Sequence, residues 1–132
     1  MKYPILFSPL ENENSYQVSV PDLPGCQVKS RSLSVGFDEI KIAIEDHLTI
    51  LAEYGEAIPN GKNIDEHQLN FKNGVWAIIE IDITPYLGRS HKINVTLPEL
   101  LIKQIDDRVS KSHEHKTRSG FIAAACLSLL QK

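Results

Sequence analysis

The sequence predicts an α+β protein in two parts: a front layer in the order β-β-β-α-β and a back part in the order β-α-α. Two observations predict the front layer: apolar and polar residues alternate near the start of the chain, and the period becomes helical between residues 37 and 54. A third predicts the back part, where a short alternating strand leads into two amphipathic helices. We place the domains at residues 1–86 and 87–132.

Three strands are expected before the first helix. Residues 2–7 form an apolar strand, and residues 15–20 form a second strand that returns after an Asn-rich turn, which predicts a hairpin. The sequence PDLPGC follows, and two prolines and a glycine in six residues indicate a rigid turn. Residues 27–32 are then expected to form a third strand at the edge of the sheet.

One long helix and a fourth strand complete the front layer. Apolar residues at steps of three and four place one stripe on the helix, formed by Phe37, Ile40, Ile44, Leu48 and Leu51. Ser34 is the expected N-cap, and Gly55 stands where a helix stop is expected. Residues 56–74 are polar and broken by Pro and Gly, which predicts a loop. The β-branched run 75–83 predicts a strand largely buried on both faces.

The back part begins with a strand that has one apolar and one polar face. Ile93, Val95 and Leu97 alternate with Lys92, Asn94 and Thr96 over residues 91–97. Helices follow at 98–112, where a proline occupies the first turn, and at 118–131, where Thr117 is the expected cap. We expect the amides of Arg118, Ser119 and Gly120 to be unpaired donors and Cys126 to lie in the core. About 44 residues bury too little apolar surface alone, so this part should need a partner.

The charge is divided unevenly along the chain. The 132 residues carry a net charge of −3, but residues 1–88 hold 6 Lys/Arg and 13 Asp/Glu, a net of −7, whereas residues 89–132 hold 8 Lys/Arg and 4 Asp/Glu, a net of +4. An acidic front and a basic back predict two partners of opposite charge. Two cysteines in unlike contexts predict neither a disulfide framework nor a zinc site and favour a reducing cytoplasm. No run of apolar residues predicts a membrane span or a signal peptide.

The back part resembles the ribbon-helix-helix family of DNA-binding domains in the order and spacing of its strand, of LPELLIKQID and of TRSGFIAAA. The resemblance implies that two chains intertwine and that their strands pair as an antiparallel ribbon in the major groove of operator DNA. Lys92, Asn94 and Thr96 would then meet base edges. Thr117, Arg118 and Ser119 would meet a backbone phosphate at the start of the last helix. We expect a homodimer through the strand, and a tetramer if the front parts also pair.

The front part resembles the HicB antitoxin family in the turn Pro21–Cys26 and in Gly55, Glu56, Ile58 and Pro59. The chain departs from the family at SRSLSVGFDEI, where a Gly-Asp-Thr-like step is common. The resemblance implies a partial ribonuclease-H-like fold and a partner, the small basic messenger-RNA-cleaving toxin HicA. Toxin contacts are expected at Asp22, Leu23, Pro24 and Gly25. The charge of the front part suits such a partner.

Enzymatic activity, a metal and a cofactor are not expected. A ribonuclease H site needs several carboxylates around divalent metals, and Glu80 and Asp82 share a strand face, but nothing in the sequence places Asp22 beside them. His113 and His115 lie in a polar segment typical of a solvated turn. The leading hypothesis is therefore an antitoxin that blocks its toxin and represses its own operon. Two alternatives stay open: a ligand- or protein-responsive repressor without a toxin, and a working nuclease.

Overall fold

The computed structural model describes residues 1–11, 14–71 and 73–131, and it divides the chain into two compact units, Met1–Arg89 and Ser90–Lys132. Within the described residues, no helix is both long and apolar enough to cross a membrane.

The first unit is built on a four-stranded antiparallel sheet in the order β3-β2-β1-β4. Its strands are β1 (Lys2–Leu10), β2 (Ser15–Ser19), β3 (Gln27–Ser30) and β4 (Val75–Glu80). The predicted hairpin is confirmed, because β1 pairs with β2, and β3 is the edge strand that the sequence predicts. The tip of the Asn-rich turn includes residues 12 and 13, which lie outside the described residues.

One face of the sheet is covered by the helix α1 (Leu33–Glu53). Alternate residues of the central strand, Tyr3, Ile5 and Phe7, are buried in the same core as the helix residues Ile40, Ile44 and Leu48. The predicted apolar stripe is therefore confirmed, with Phe37 and Leu51 partly buried at its two ends.

The start of α1 differs from the expectation. The N-cap is Ser32, whose Oγ accepts a hydrogen bond from the amide of Val35 at 3.1 Å, so the predicted cap at Ser34 is wrong. The amphipathic pattern begins only at Phe37, so it does not show where the helix starts. The first turn requires an N-cap but no buried face, and the helix can therefore begin before the pattern does. At the other end, Gly55 adopts φ +67°, and the amide of Glu56 bonds the carbonyl of Leu51 at 2.9 Å. This left-handed stop is the one that the sequence predicts.

Two expectations for the segment after α1 are wrong. The predicted loop contains a short helix, α2 (Ile64–His67). Among the described strands, β4 has β1 as its one neighbour, so it is an edge strand. It leaves Val75 and Ile78 more than half exposed and is therefore not buried on both faces. An apolar run does not show how many neighbours a strand has.

The second unit contains the helices α3 (Glu99–Lys111) and α4 (Arg118–Leu130), within a residue of the predicted bounds. Among the described residues of this unit, Ile105 of α3 is the buried hydrophobic side chain. The helix α3 packs against α4. Residues 91–98 have no regular structure within the single chain, which contains no strand for them to pair with in the described part of this unit. Cys126 is exposed, so the expectation that it lies in the core of a single chain is wrong.

Candidate functional site

The rigid turn after β2 holds a buried carboxylate. The turn is closed by hydrogen bonds from the amide of Val20 to the carbonyl of Cys26 at 3.1 Å and from the amide of Cys26 to the carbonyl of Leu23 at 3.0 Å. Gly25 makes the reversal with φ +86°, which other residues rarely adopt. The turn thereby directs the side chains of Asp22 and Leu23 inward, where both are buried.

Asp22 connects the turn after β2 to the segment that follows α1. One carboxylate oxygen lies 3.0 Å from Nε2 of His67, and the other accepts a hydrogen bond from the amide of Lys62 at 3.1 Å. The ring of His67 stacks on Trp76 with the centroids 6.3 Å apart. Since 45 residues separate Asp22 from His67, no local pattern in the sequence could have identified this pair.

The Tyr3 hydroxyl makes a second link to the same segment, donating a hydrogen bond to the carbonyl of Pro59 at 2.7 Å. Burial, with a smaller contribution from the Asp22 carboxylate, raises the pKa of Tyr3 to about 12. The hydroxyl therefore stays protonated and remains a donor through the ordinary pH range.

These contacts involve two of the four residues that the sequence predicts as toxin contacts. Asp22 and Leu23 are buried and serve the fold, so their side chains offer no surface to a partner. Pro24 and Gly25 are exposed at the tip of the turn and stay available.

The carboxylates considered for a nuclease site are not brought together with Asp22. Glu80 ends β4 and is exposed, while Asp82 lies beyond the strand and accepts a hydrogen bond from the amide of Thr84 at 3.0 Å. Hydrogen bonding with Thr84, chiefly with its side chain and then with its amide, lowers the pKa of Asp82. Among the described residues no group of three or more His, Cys, Asp or Glu side chains is placed to hold a metal ion.

In the second unit, the polar side chains that were predicted to read DNA are all exposed. Lys92, Asn94 and Thr96 lie on the surface of the segment before α3. The alternate residues Ile93 and Val95 are 80% and 60% exposed, an unusual state for β-branched apolar side chains. This segment therefore presents an apolar face that its own chain does not cover.

The start of α4 carries the predicted cap. The Oγ1 of Thr117 accepts a hydrogen bond from the amide of Gly120 at 3.0 Å, so that amide is not an unpaired donor as the sequence suggested. A Cβ on residue 120 would lie 3.1 Å from the same oxygen. The close approach of the cap explains why a glycine stands in this turn.

Arg118 is held by a carboxylate of the preceding helix. Its Nε and Nη2 donate to the two oxygens of Asp106 at 3.0 and 2.7 Å, which is the bidentate geometry of a strong pair. The bond to Arg118 lowers the pKa of Asp106, and the same bond raises that of Arg118. The pair fixes the guanidinium beside the first turn of α4.

Comparison with known proteins assigns the chain to a family. Residues 3–126 match the family model described as the HicB_like antitoxin of bacterial toxin-antitoxin systems. The chain belongs to this HicB-like antitoxin family. The match confirms the resemblance that the turn Pro21–Cys26 carries in the sequence.

The chain is also similar to individual proteins over much of its length. A protein of Haemophilus phage HP1 (strain HP1c1), known as an uncharacterized 14.9 kDa protein in the rep-hol intergenic region, is 34% identical over 125 residues that cover 93% of this chain and 92% of that protein. The crystal structure of the Burkholderia pseudomallei antitoxin HicB is similar with a TM-score of 0.71 at 30% identity, covering 98% of both chains. A chain of the HicA3 and HicB3 toxin-antitoxin complex has the same fold over 62% of this HicB-like chain and 99% of its own length, with a TM-score of 0.51 at 22% identity.

Proposed function

We propose that this protein is the antitoxin of a HicA–HicB pair, that its first unit binds and blocks a messenger-RNA-cleaving toxin, and that its second unit dimerises and represses the operon that encodes both proteins. The observation that carries the proposal is the family match over residues 3–126.

The toxin partner is supported by similarity and by charge. One similar structure is that of the HicA3 and HicB3 toxin-antitoxin complex. Residues 1–88 carry 6 Lys/Arg and 13 Asp/Glu, a net of −7, which favours a basic partner by accelerating encounter and disfavouring acidic competitors.

Dimerisation through the segment before α3 is supported by its exposed apolar face. Ile93, Val95, Leu100, Leu129 and Leu130 are each at least 60% exposed in the single chain. A unit of about 43 residues is marginal alone, and a second copy would cover these side chains while pairing the two segments as strands. The polar residues Lys92, Asn94 and Thr96 would then lie together on one face of the ribbon.

The test of the antitoxin role is co-expression. The chain is produced together with the small basic protein encoded beside it, and growth and complex formation are measured. We expect growth arrest by the neighbouring protein alone, rescue by the pair and a co-purifying complex. An unrescued culture together with the absence of a complex would refute the antitoxin role.

The test of the DNA-binding role separates base contacts from phosphate contacts. Lys92→Ala and Asn94→Ala should each reduce discrimination between operator and random DNA by about 1–3 kcal/mol, because a base contact is lost. Arg118→Ala should weaken binding to both DNAs and lower the salt dependence. Fluorescence anisotropy at several salt concentrations measures both effects. Equal losses on both DNAs for all three variants would argue against the segment as the reader.

A further inference from the structure

The face of α1 that points away from the sheet carries a regular stripe of exposed residues. Apolar and carboxylate side chains alternate along it at steps of three or four residues: Val35, Glu39, Ile42, Asp46, Ile50 and Glu53. At 100° per residue these six positions fall within an arc of about 80° and extend over about 27 Å of helix. We call these six residues the α1 stripe.

The apolar members of the α1 stripe do not belong to the core. Val35, Ile42 and Ile50 are 51%, 62% and 54% exposed. The buried residues Gly36, Ile40, Ile44 and Leu48 of the same helix centre roughly 140° away around the axis. An exposed row of β-branched residues on the longest helix of the unit indicates a contact surface.

The carboxylates decide which kind of partner this surface fits. Glu39, Asp46 and Glu53 are exposed between the apolar residues, and Asp38 lies beside them. Lys41, the lysine of this helix, lies roughly 140° from the centre of the stripe. Lys29 and Arg31 line the surface beside Val35 and Glu39 at the start of the helix. Along the rest of the stripe the carboxylates disfavour a nucleic acid or an anionic membrane. Two copies placed stripe to stripe would bring six carboxylates together, which costs free energy where water is excluded.

We propose that the α1 stripe is the surface on which this protein docks a basic protein partner, namely the toxin of the proposed function on which this inference rests. The alkyl parts of lysine or arginine side chains would cover the three apolar residues. Their charged ends would meet the carboxylates between them. The α1 stripe is separate from the turn in which Asp22 and Leu23 are buried.

The experiment measures binding of the full-length chain to the co-encoded toxin by surface plasmon resonance. The apolar variant is Ile42→Ser with Ile50→Ser, and its matched control is Ile78→Ser, an equally exposed isoleucine on β4. The charge variant is Glu39→Gln, Asp46→Asn and Glu53→Gln. Its control removes the same three charges elsewhere, through Asp65→Asn, Glu66→Gln and Glu80→Gln. Circular dichroism checks that each variant is folded.

We expect the apolar variant to lose at least about tenfold in affinity, chiefly through faster dissociation. The charge variant should associate at least about tenfold more slowly at low salt, and less so at high salt. Both controls should stay within about twofold of the wild type, and operator binding should be unchanged in every variant.

Three results would overturn the inference. Wild-type affinity in both stripe variants would show that the toxin docks elsewhere. An equal loss of association rate in the charge variant and in its control would show an effect of net charge and not of the α1 stripe. A change in oligomeric mass with unchanged toxin binding would show that the stripe joins copies of this chain. If the wild-type chain does not bind the toxin at all, the proposed function fails and this inference fails with it.

Discussion

Asp22 stabilises the fold through contacts with a distant segment of the chain. Its carboxylate is buried and bonds both the ring of His67 and the amide of Lys62, which lie on a segment that the sequence predicts as a loop. The sequence correctly predicts that Asp22 lies in a rigid turn. It does not predict the partners of Asp22, because Asp22 and His67 are 45 residues apart in the chain. A polar residue in a recognisable turn motif can therefore stabilise the fold although the motif suggests a contact with a partner.

Replacing this carboxylate tests its structural role. Asp22→Ala should lower the free energy of unfolding by about 2 kcal/mol or more, because the buried ring of His67 and the partly buried amide of Lys62 both lose their hydrogen-bond partner. Asp65→Ala, which removes an exposed carboxylate from the same unit, should change it by less than about 0.5 kcal/mol. Urea unfolding monitored by circular dichroism compares the two variants. Equal stability of both variants would contradict this structural role.

At the scale of the elements, periodicity predicts α1, α3 and α4 well but leaves their ends and neighbours less certain. The stripe of Ile40, Ile44 and Leu48 repeats over several turns, so the buried face of α1 is unambiguous. The N-cap of α1 is ambiguous in the sequence, since Ser32 and Ser34 are both suitable residues and the choice depends on where β3 ends. The short helix α2 has four residues, too few for a period to be visible.

The cap of α4 provides a prediction at this scale. Thr117→Ala should destabilise α4 by about 1 kcal/mol, because the amide of Gly120 loses its acceptor. Ser119→Ala removes a neighbouring hydroxyl that is not the cap and should have little effect on stability. Thermal unfolding followed by helical circular dichroism measures the difference. Equal melting temperatures for the wild type and the Thr117 variant would refute the role of the cap.

For the molecule as a whole, the sequence predicts an acidic front and a basic back, and the structure divides the chain into two compact units at Arg89 and Ser90. The strand that the sequence predicts before α3 is absent from the single chain, and its expected partner is another copy. The exposed side chains of Ile93 and Val95 agree with the expectation that two copies pair through this segment. The pairing itself stays a prediction.

Breaking the apolar face tests the assembly. The double variant Ile93→Asp and Val95→Asp should be monomeric and should lose operator binding, because two buried carboxylate pairs would oppose strand pairing. Lys92→Ser and Asn94→Ser change only the polar face and should leave the dimer intact. Sedimentation velocity at micromolar concentration gives the masses. A wild-type chain that sediments as a folded monomer would contradict the dimer.

The position of β1 in the middle of the sheet affects how the protein is made. The strand β1 leaves the ribosome before β4, which starts at Val75, and its second edge stays uncovered until β4 has been made. Until then the nascent chain carries an apolar strand with one open side, a target for chaperones and for pairing with other chains. Translation pauses before that point would therefore prolong the most aggregation-prone stage in the life of the molecule.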